Sequence, residues 1–126
     1  MMRRYPISPW KGNGMISQEE FLDPFERINV ETAKQLIEKG TLLVVDVRES
    51  REWEQGHIAE SIHIPLATLM SRPRELLQQD GIIFVCSEGI RSAVACEIAA
   101  AIGRTQLYNL EGGTRDWLKH GYALTR

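Results

Sequence analysis

Two continuous apolar runs, Leu42-Leu43-Val44-Val45 and Ile82-Ile83-Phe84-Val85-Cys86, interrupt a chain whose other apolar residues mostly recur at helical spacing. A strand with one face in water alternates apolar and polar residues, so an unbroken run predicts a strand covered on both faces. Weaker strands are predicted at Ser61–Ile64, stopped by Pro65, and at Gln106–Leu110, stopped by Gly112-Gly113, with a short one before Asn29. Helices fill the gaps. Asn29 is read as the cap of a helix over Val30–Lys39, with Ala33, Leu36 and Ile37 on one face and Gly40 ending it. Ser50 is read as the cap of a short helix running through Gln55 and ended by Gly56, and Ala67–Gln79 as a helix divided at Pro73. A helix starting near Ser92 and running to Ile102 is apolar nearly all round, with Glu97 its only charge after Ser92. Thr114 is read as the cap of Arg115–His120, with Trp117 and Leu118 as inward anchors and Gly121 closing it. Strands alternating with helices predict an α/β fold in three layers: a mainly parallel sheet of about five strands with helices on both faces.

This pattern begins at Ile28, so residues 28–126 are expected to form one domain and residues 1–27 an N-terminal arm. The arm holds Pro6, Pro9, Gly12, Gly14 and Pro24 with little periodicity, apart from Ser17-Gln18-Glu19-Glu20, a capping box for one turn. Its aromatics Tyr5, Trp10, Phe21 and Phe25 argue against simple disorder. They suggest packing over its own domain, a homodimer contact or a dedicated partner.

Composition changes little. The 126 residues are 43% hydrophobic and 25% charged with a net charge of −2, ordinary values for one globular domain. No basic run is interleaved with aromatics, which argues against nucleic acid as a partner, and no apolar run approaches the ~20 residues of a membrane span. Met1-Met2-Arg3-Arg4 leads into a proline-rich stretch rather than a signal-peptide core, so a reducing, cytoplasmic setting is expected. The two cysteines, Cys86 and Cys96, fit no zinc or Cys-x-x-Cys spacing. Cys96 falls among Ala93, Val94, Ala95, Ile98 and Ala99 and reads as a core residue.

Cys86 reads differently. It ends a strand, and a short loop carries the chain into a helix, whose free N–H groups and dipole favour an anion. A cysteine so placed ionises more readily than a free thiol and becomes nucleophilic.

Several flanking motifs now fall into line: Asp46-Val47-Arg48 at a strand end, Glu52 with Trp53, Gly56-His57-Ile58, Ile62-His63-Ile64-Pro65, the loop Cys86–Arg91 with Ser92, and Leu110-Glu111-Gly112-Gly113 before Trp117. In order and spacing the set resembles the rhodanese (sulfurtransferase) domain family, over about Ile28 to Ala123. The resemblance implies a single rhodanese-like domain with Cys86 as catalytic nucleophile. The cysteine would take a sulfane sulfur from a donor such as thiosulfate, polysulfide or a protein persulfide, and pass it to cyanide, a thiol or a protein acceptor by ping-pong catalysis. Ser87, Glu88, Gly89, Ile90, Arg91 and Ser92 are the residues it implies for binding donor and persulfide, with Asp46 and Arg48 in support. No cofactor or metal is called for; His57 and His63 lack a convincing third ligand.

Two other classes remain: a sulfur-delivery or regulatory module serving a protein partner, and a thiol phosphatase. The loop Cys86–Arg91 has six residues; related phosphatases use one more, because a phosphate ester needs a wider ring of donors than a single sulfur. Arg91 suits an oxyanion but is also an ordinary helix-start residue. Ser92 and Ser87 are likewise caps or sulfur ligands. Glu88 departs from the expectation for an anion site, since a carboxylate in the loop opposes a dianionic donor and the thiolate. Asp46, Arg48 and Glu52 read as a structural charged cluster.

Overall fold

The computed structural model describes residues 23–126. The expectations placed on the earlier part of the arm, its capping box and its packing or dimer role, lie outside the described residues. The sheet opens with β1 (Glu26–Ile28) and contains β2 (Leu43–Asp46), β3 (Ile62–His63), β4 (Ile82–Val85) and β5 (Leu107–Leu110). Their order is β1-β5-β4-β2-β3 and every pairing is parallel. The helices are α1 (Val30–Lys39), α2 (Ser50–Gln55), α3 (Leu66–Ser71), α4 (Pro73–Leu76), α5 (Ile90–Ala101) and α6 (Gly113–Lys119). The three-layer α/β architecture expected from the apolar runs is the one observed. Phe25, at 8% exposure, packs into the core just ahead of β1.

Alternation along β4 divides the core in two. Ile82, Phe84 and Cys86 face one layer with Leu69 of α3, Leu76 of α4, and Ala95, Cys96 and Ala99 of α5. Ile83 and Val85 face the other, with Val30, Ala33 and Ile37 of α1 and Trp117 of α6. The four β4 residues are wholly buried; each such side chain stabilises the fold by about 1.5–3 kcal/mol. The period of two also puts Cys86 on the α5 side of the sheet.

Local signals hold for α1, where Asn29 Oδ1 accepts the Thr32 N–H at 2.9 Å and Gly40, at φ +73°, ends the helix. Pro73 divides its segment as expected, standing at the first position of α4, although the helix stops at Leu76 rather than Gln79. Besides α3, which begins at Leu66 rather than Ala67, three helix starts differ from expectation. The α2 cap is Glu49, not Ser50, and its N–H donates to Glu52 Oε1 at 3.0 Å. The start of α5 is Ile90, because Gly89 takes the left-handed conformation (φ +92°) and lets the chain enter the helix before Ser92. The start of α6 is Gly113, so Thr114 lies inside the helix. Leu118 is no anchor: it is 54% exposed, since the next position round the helix, Trp117, takes the inward place at 4%.

A buried ion pair fixes the end of β2. Asp46 and Arg48 are both buried, joined by Arg48 Nε to both carboxylate oxygens at 3.0 Å and Nη2 to Oδ2 at 2.8 Å. Nη2 also donates to the Gly56 carbonyl at 2.8 Å, which ties the end of α2 to the strand. His57, just after α2, and Thr125, after α6, form an antiparallel bridge. Among the described residues no helix is long and apolar enough to cross a membrane.

Candidate active site

The C-terminal end of β4 lies between β5 and β2, where the chain leaves the sheet through a short loop into α5. Crevices of parallel sheets lie at such strand ends. Here the loop curls around the sulfur of Cys86, which is 1% exposed. The Gly89 N–H donates to Sγ at 3.1 Å and the Ser92 N–H at 3.4 Å; the Ser92 hydroxyl lies 3.3 Å away, in a contact where either atom can donate. Burial pushes the Cys86 thiol up. The N–H groups of Ser92, Glu88 and Gly89 pull the other way, as would a Ser92 hydroxyl donating to the sulfur, and the balance falls below an ordinary cysteine. The thiolate therefore forms more readily than in an ordinary cysteine.

Loop carbonyls must point away for its N–H groups to point in, and the start of α6 takes them. Thr114 N–H donates to the Cys86 carbonyl at 2.9 Å and Arg115 N–H to that of Ser87 at 3.1 Å. Gly113 makes this approach possible: it sits at φ +62°, and a Cβ there would lie 2.3 Å from the Ser87 carbonyl. The pair Gly112-Gly113, read from sequence only as a turn, thus positions the loop.

The structure gathers the remaining loop residues unevenly. Arg91 Nη1 and Nη2 grip Glu52 Oε1 and Oε2 at 2.7 and 2.9 Å, and Nη2 also reaches Ser87 Oγ at 3.0 Å. Much of the guanidinium is thereby spent on holding the loop to α2. Glu88 turns outward, half exposed, and pairs with the exposed Arg115 of α6. Ile90 is 71% exposed, whereas Ser92 is wholly buried. Asp46 and Arg48 bond each other and backbone. His57 and His63 both stack on Trp53, with His57 Nδ1 at the Trp53 carbonyl and His63 Nε2 at that of Arg48. Cys96 is wholly buried, and burial pushes its thiol far up.

Sequence reasoning passed over Asn109, the wholly buried β5 residue that contacts both Ser92 and Gly89. Its signal was there: a lone amide between Tyr108 and Leu110 in an otherwise apolar strand. The partnership of Glu52 with Arg91, 39 residues apart, left no such trace.

A model of the rhodanese-like domain matches residues 29–120, most of the chain. The chain belongs to the rhodanese-like domain family. Among rhodanese-like relatives, a putative sulfur carrier protein of Bacillus subtilis, YrkF, is 36% identical over 91 residues, covering 71% of this chain and 49% of that protein. The chain thus spans about half the length of this relative. The thiosulfate sulfurtransferase GlpE of Coxiella burnetii is 26% identical over 96 residues, covering 76% of this chain and 90% of that one. The crystal structure of a rhodanese-related protein from Thermoplasma volcanium superimposes with a TM-score of 0.71 at 33% identity, covering 79% of this chain and 97% of that one.

The rhodanese-like loop carries a pH-dependent clamp. Hydrogen bonds from Arg91 hold the Glu52 carboxyl at about 2, against the upward push of burial and with help from the Glu49 N–H. A depressed carboxyl contributes stability in full above its unfolded value and loses it as pH falls, here from about 5 down to 2. Both side chains are 33% exposed, so screening limits the contribution to about 1 kcal/mol. Glu52→Gln is expected to lower the thermal midpoint at pH 7, with the gap to the parent protein closing near pH 2. Calorimetry across that range checks it; a gap that persists at pH 2 rules out charge as the cause.

Proposed function

We propose that the protein is a sulfurtransferase that carries sulfane sulfur as a persulfide on Cys86. The observation that carries this reading is the ring of N–H donors from Gly89 and Ser92 closed on the Cys86 sulfur at the end of β4. In the first half-reaction the thiolate attacks the outer sulfur of thiosulfate. The S–S bond of the donor breaks, sulfite departs with the bonding pair, and the cysteine is left as a persulfide anion. In the second, cyanide or a thiolate attacks the outer sulfur, taking it as thiocyanate or as a new persulfide and returning Cys86 to thiolate. Neither step needs a base or a metal. Fixed N–H dipoles stabilise the anion at each stage without reorganising. The named relatives, a thiosulfate sulfurtransferase and a putative sulfur carrier, support the same chemistry.

Intact mass after incubation with thiosulfate or polysulfide tests the proposal. The expected result is a gain of one sulfur atom, reversed by dithiothreitol and located on the peptide carrying Cys86 rather than Cys96. No gain with any donor overturns it, and hydrolysis of an aryl phosphate would point to phosphatase chemistry instead.

Glu88 tunes the donor. Its carboxylate opposes a dianion, but its outward pairing with Arg115 reduces the effect to that of an exposed ion pair. Glu88→Gln is expected to raise kcat/KM for thiosulfate by about 1.4- to 5-fold, less at high salt. An unchanged rate at low salt would remove Glu88 from donor selection.

A further inference from the structure

Asn109 lies on β5 beneath the loop, wholly buried. Its partners decide which way its amide faces. Nδ2 lies 3.0 Å from the Gly89 carbonyl and 2.9 Å from Glu111 Oε2, and both of these accept. Glu111 is itself held by Arg27 at 3.2 Å. Both Nδ2 protons are thereby committed, and a flipped amide would set its oxygen against two other acceptors. Oδ1 is left facing Ser92 Oγ at 2.5 Å, and it can only accept.

A hydroxyl has one proton. Ser92 is wholly buried and lies between two acceptors, Asn109 Oδ1 and the Cys86 sulfur. If the proton turned to the sulfur, Asn109 Oδ1 would be a buried acceptor with no donor at the short contact, an arrangement folded proteins avoid. With the proton on Asn109, the Ser92 oxygen presents a lone pair to Sγ.

We propose that Asn109 is a positioning residue that commits the Ser92 hydroxyl to accept, rather than donate, at the Cys86 sulfur. Wherever Cys86 is protonated its S–H then donates to Ser92 Oγ, and the anion is stabilised by backbone N–H groups alone. Proximity by itself would make the same hydroxyl a donor to the thiolate, with the opposite effect. The inference rests on the reading of Cys86 as the reactive nucleophile.

The sign of one substitution separates the two arrangements. Ser92→Ala keeps the backbone N–H and removes only the hydroxyl. If that hydroxyl accepts, its loss makes Cys86 ionise at lower pH, and iodoacetamide alkylation below the wild-type midpoint becomes about two- to tenfold faster. If it donates, alkylation slows by a similar factor and the midpoint rises, which overturns the proposal. Asn109→Ala frees the proton to turn to the sulfur, so in that background Ser92→Ala is expected to slow alkylation, a reversal that a merely structural role would not produce. The same sign in both backgrounds would remove Asn109 from control of the hydroxyl. Should Asn109→Ala fail to fold, Ser92→Ala decides the sign by itself. The pH profile of alkylation needs no sulfur donor. Sulfur uptake with slowed alkylation in Ser92→Ala therefore fails this inference alone, whereas accelerated alkylation without sulfur uptake supports it and fails the transferase reading.

Discussion

Cys86→Ser is expected to abolish sulfur uptake and to lower sulfurtransferase turnover by about 10⁴-fold or more, to the level of the uncatalysed exchange. An alcohol is not ionised at neutral pH, and a disulfide-like intermediate cannot form on oxygen. The N–H groups of Gly89 and Ser92 would remain in place around the serine oxygen, so the variant should fold with its stability unchanged to within about 1 kcal/mol. The matching control is Cys96→Ala. Cys96 is wholly buried on α5 and its thiol is pushed far up by burial; that variant should lose some packing yet keep full sulfur loading. Turnover and intact mass together check both outcomes. Retention of loading in Cys86→Ser, or its loss in Cys96→Ala, would transfer the nucleophile's role to the other cysteine.

Gly113→Ala is expected to reduce kcat/KM by about 10²-fold or more, because aim of the loop N–H groups depends on it. Two effects combine. A left-handed backbone at φ +62° disfavours any Cβ by about 1 kcal/mol, and the new methyl would meet the Ser87 carbonyl carbon and oxygen at 2.3 Å. Backbone must move. The bonds from Thr114 and Arg115 to the Cys86 and Ser87 carbonyls then lengthen, and the loop loses the anchor that turns its carbonyls away from the sulfur. Gly121→Ala separates the two effects: its φ is +81°, but nothing lies within 4 Å of the added carbon. It should lower stability by about 1 kcal/mol and leave turnover untouched. Equal activity in the two variants would show that the clash at Gly113 does not reach the loop.

Cys86 and its setting were legible because the features that mark them are local. An unbroken apolar run, a cysteine at its end and a glycine three residues on are adjacent in the chain, and each dictates backbone conformation where it stands. Cys96 was legible for the same reason, buried by the alanines around it. Helix starts were read less well. Ser50, Ser92 and Thr114 are good capping residues, but Glu49, Gly89 and Gly112 occupy the cap positions. At α5 and α6 the turn geometry permitted by glycine outweighs side-chain preference.

By itself, the sequence determined the parallel α/β layering, the strand that leads into Cys86 and the short turn from it into a helix, since periodicity and turn chemistry act over a few neighbouring residues. Only the tertiary structure decided what surrounds that loop. It set Glu52 of α2 against Arg91, so the expected anion-binding cation is largely engaged in an ion pair. It turned Glu88 outward to Arg115, brought the start of α6 onto the loop carbonyls, and placed Asn109 under Ser92. These partners are 17 to 39 residues apart in the chain. Hydrogen bonds and ion pairs act over about 3 Å, so such pairings exist only after the parallel strands and their crossover helices have brought the segments together.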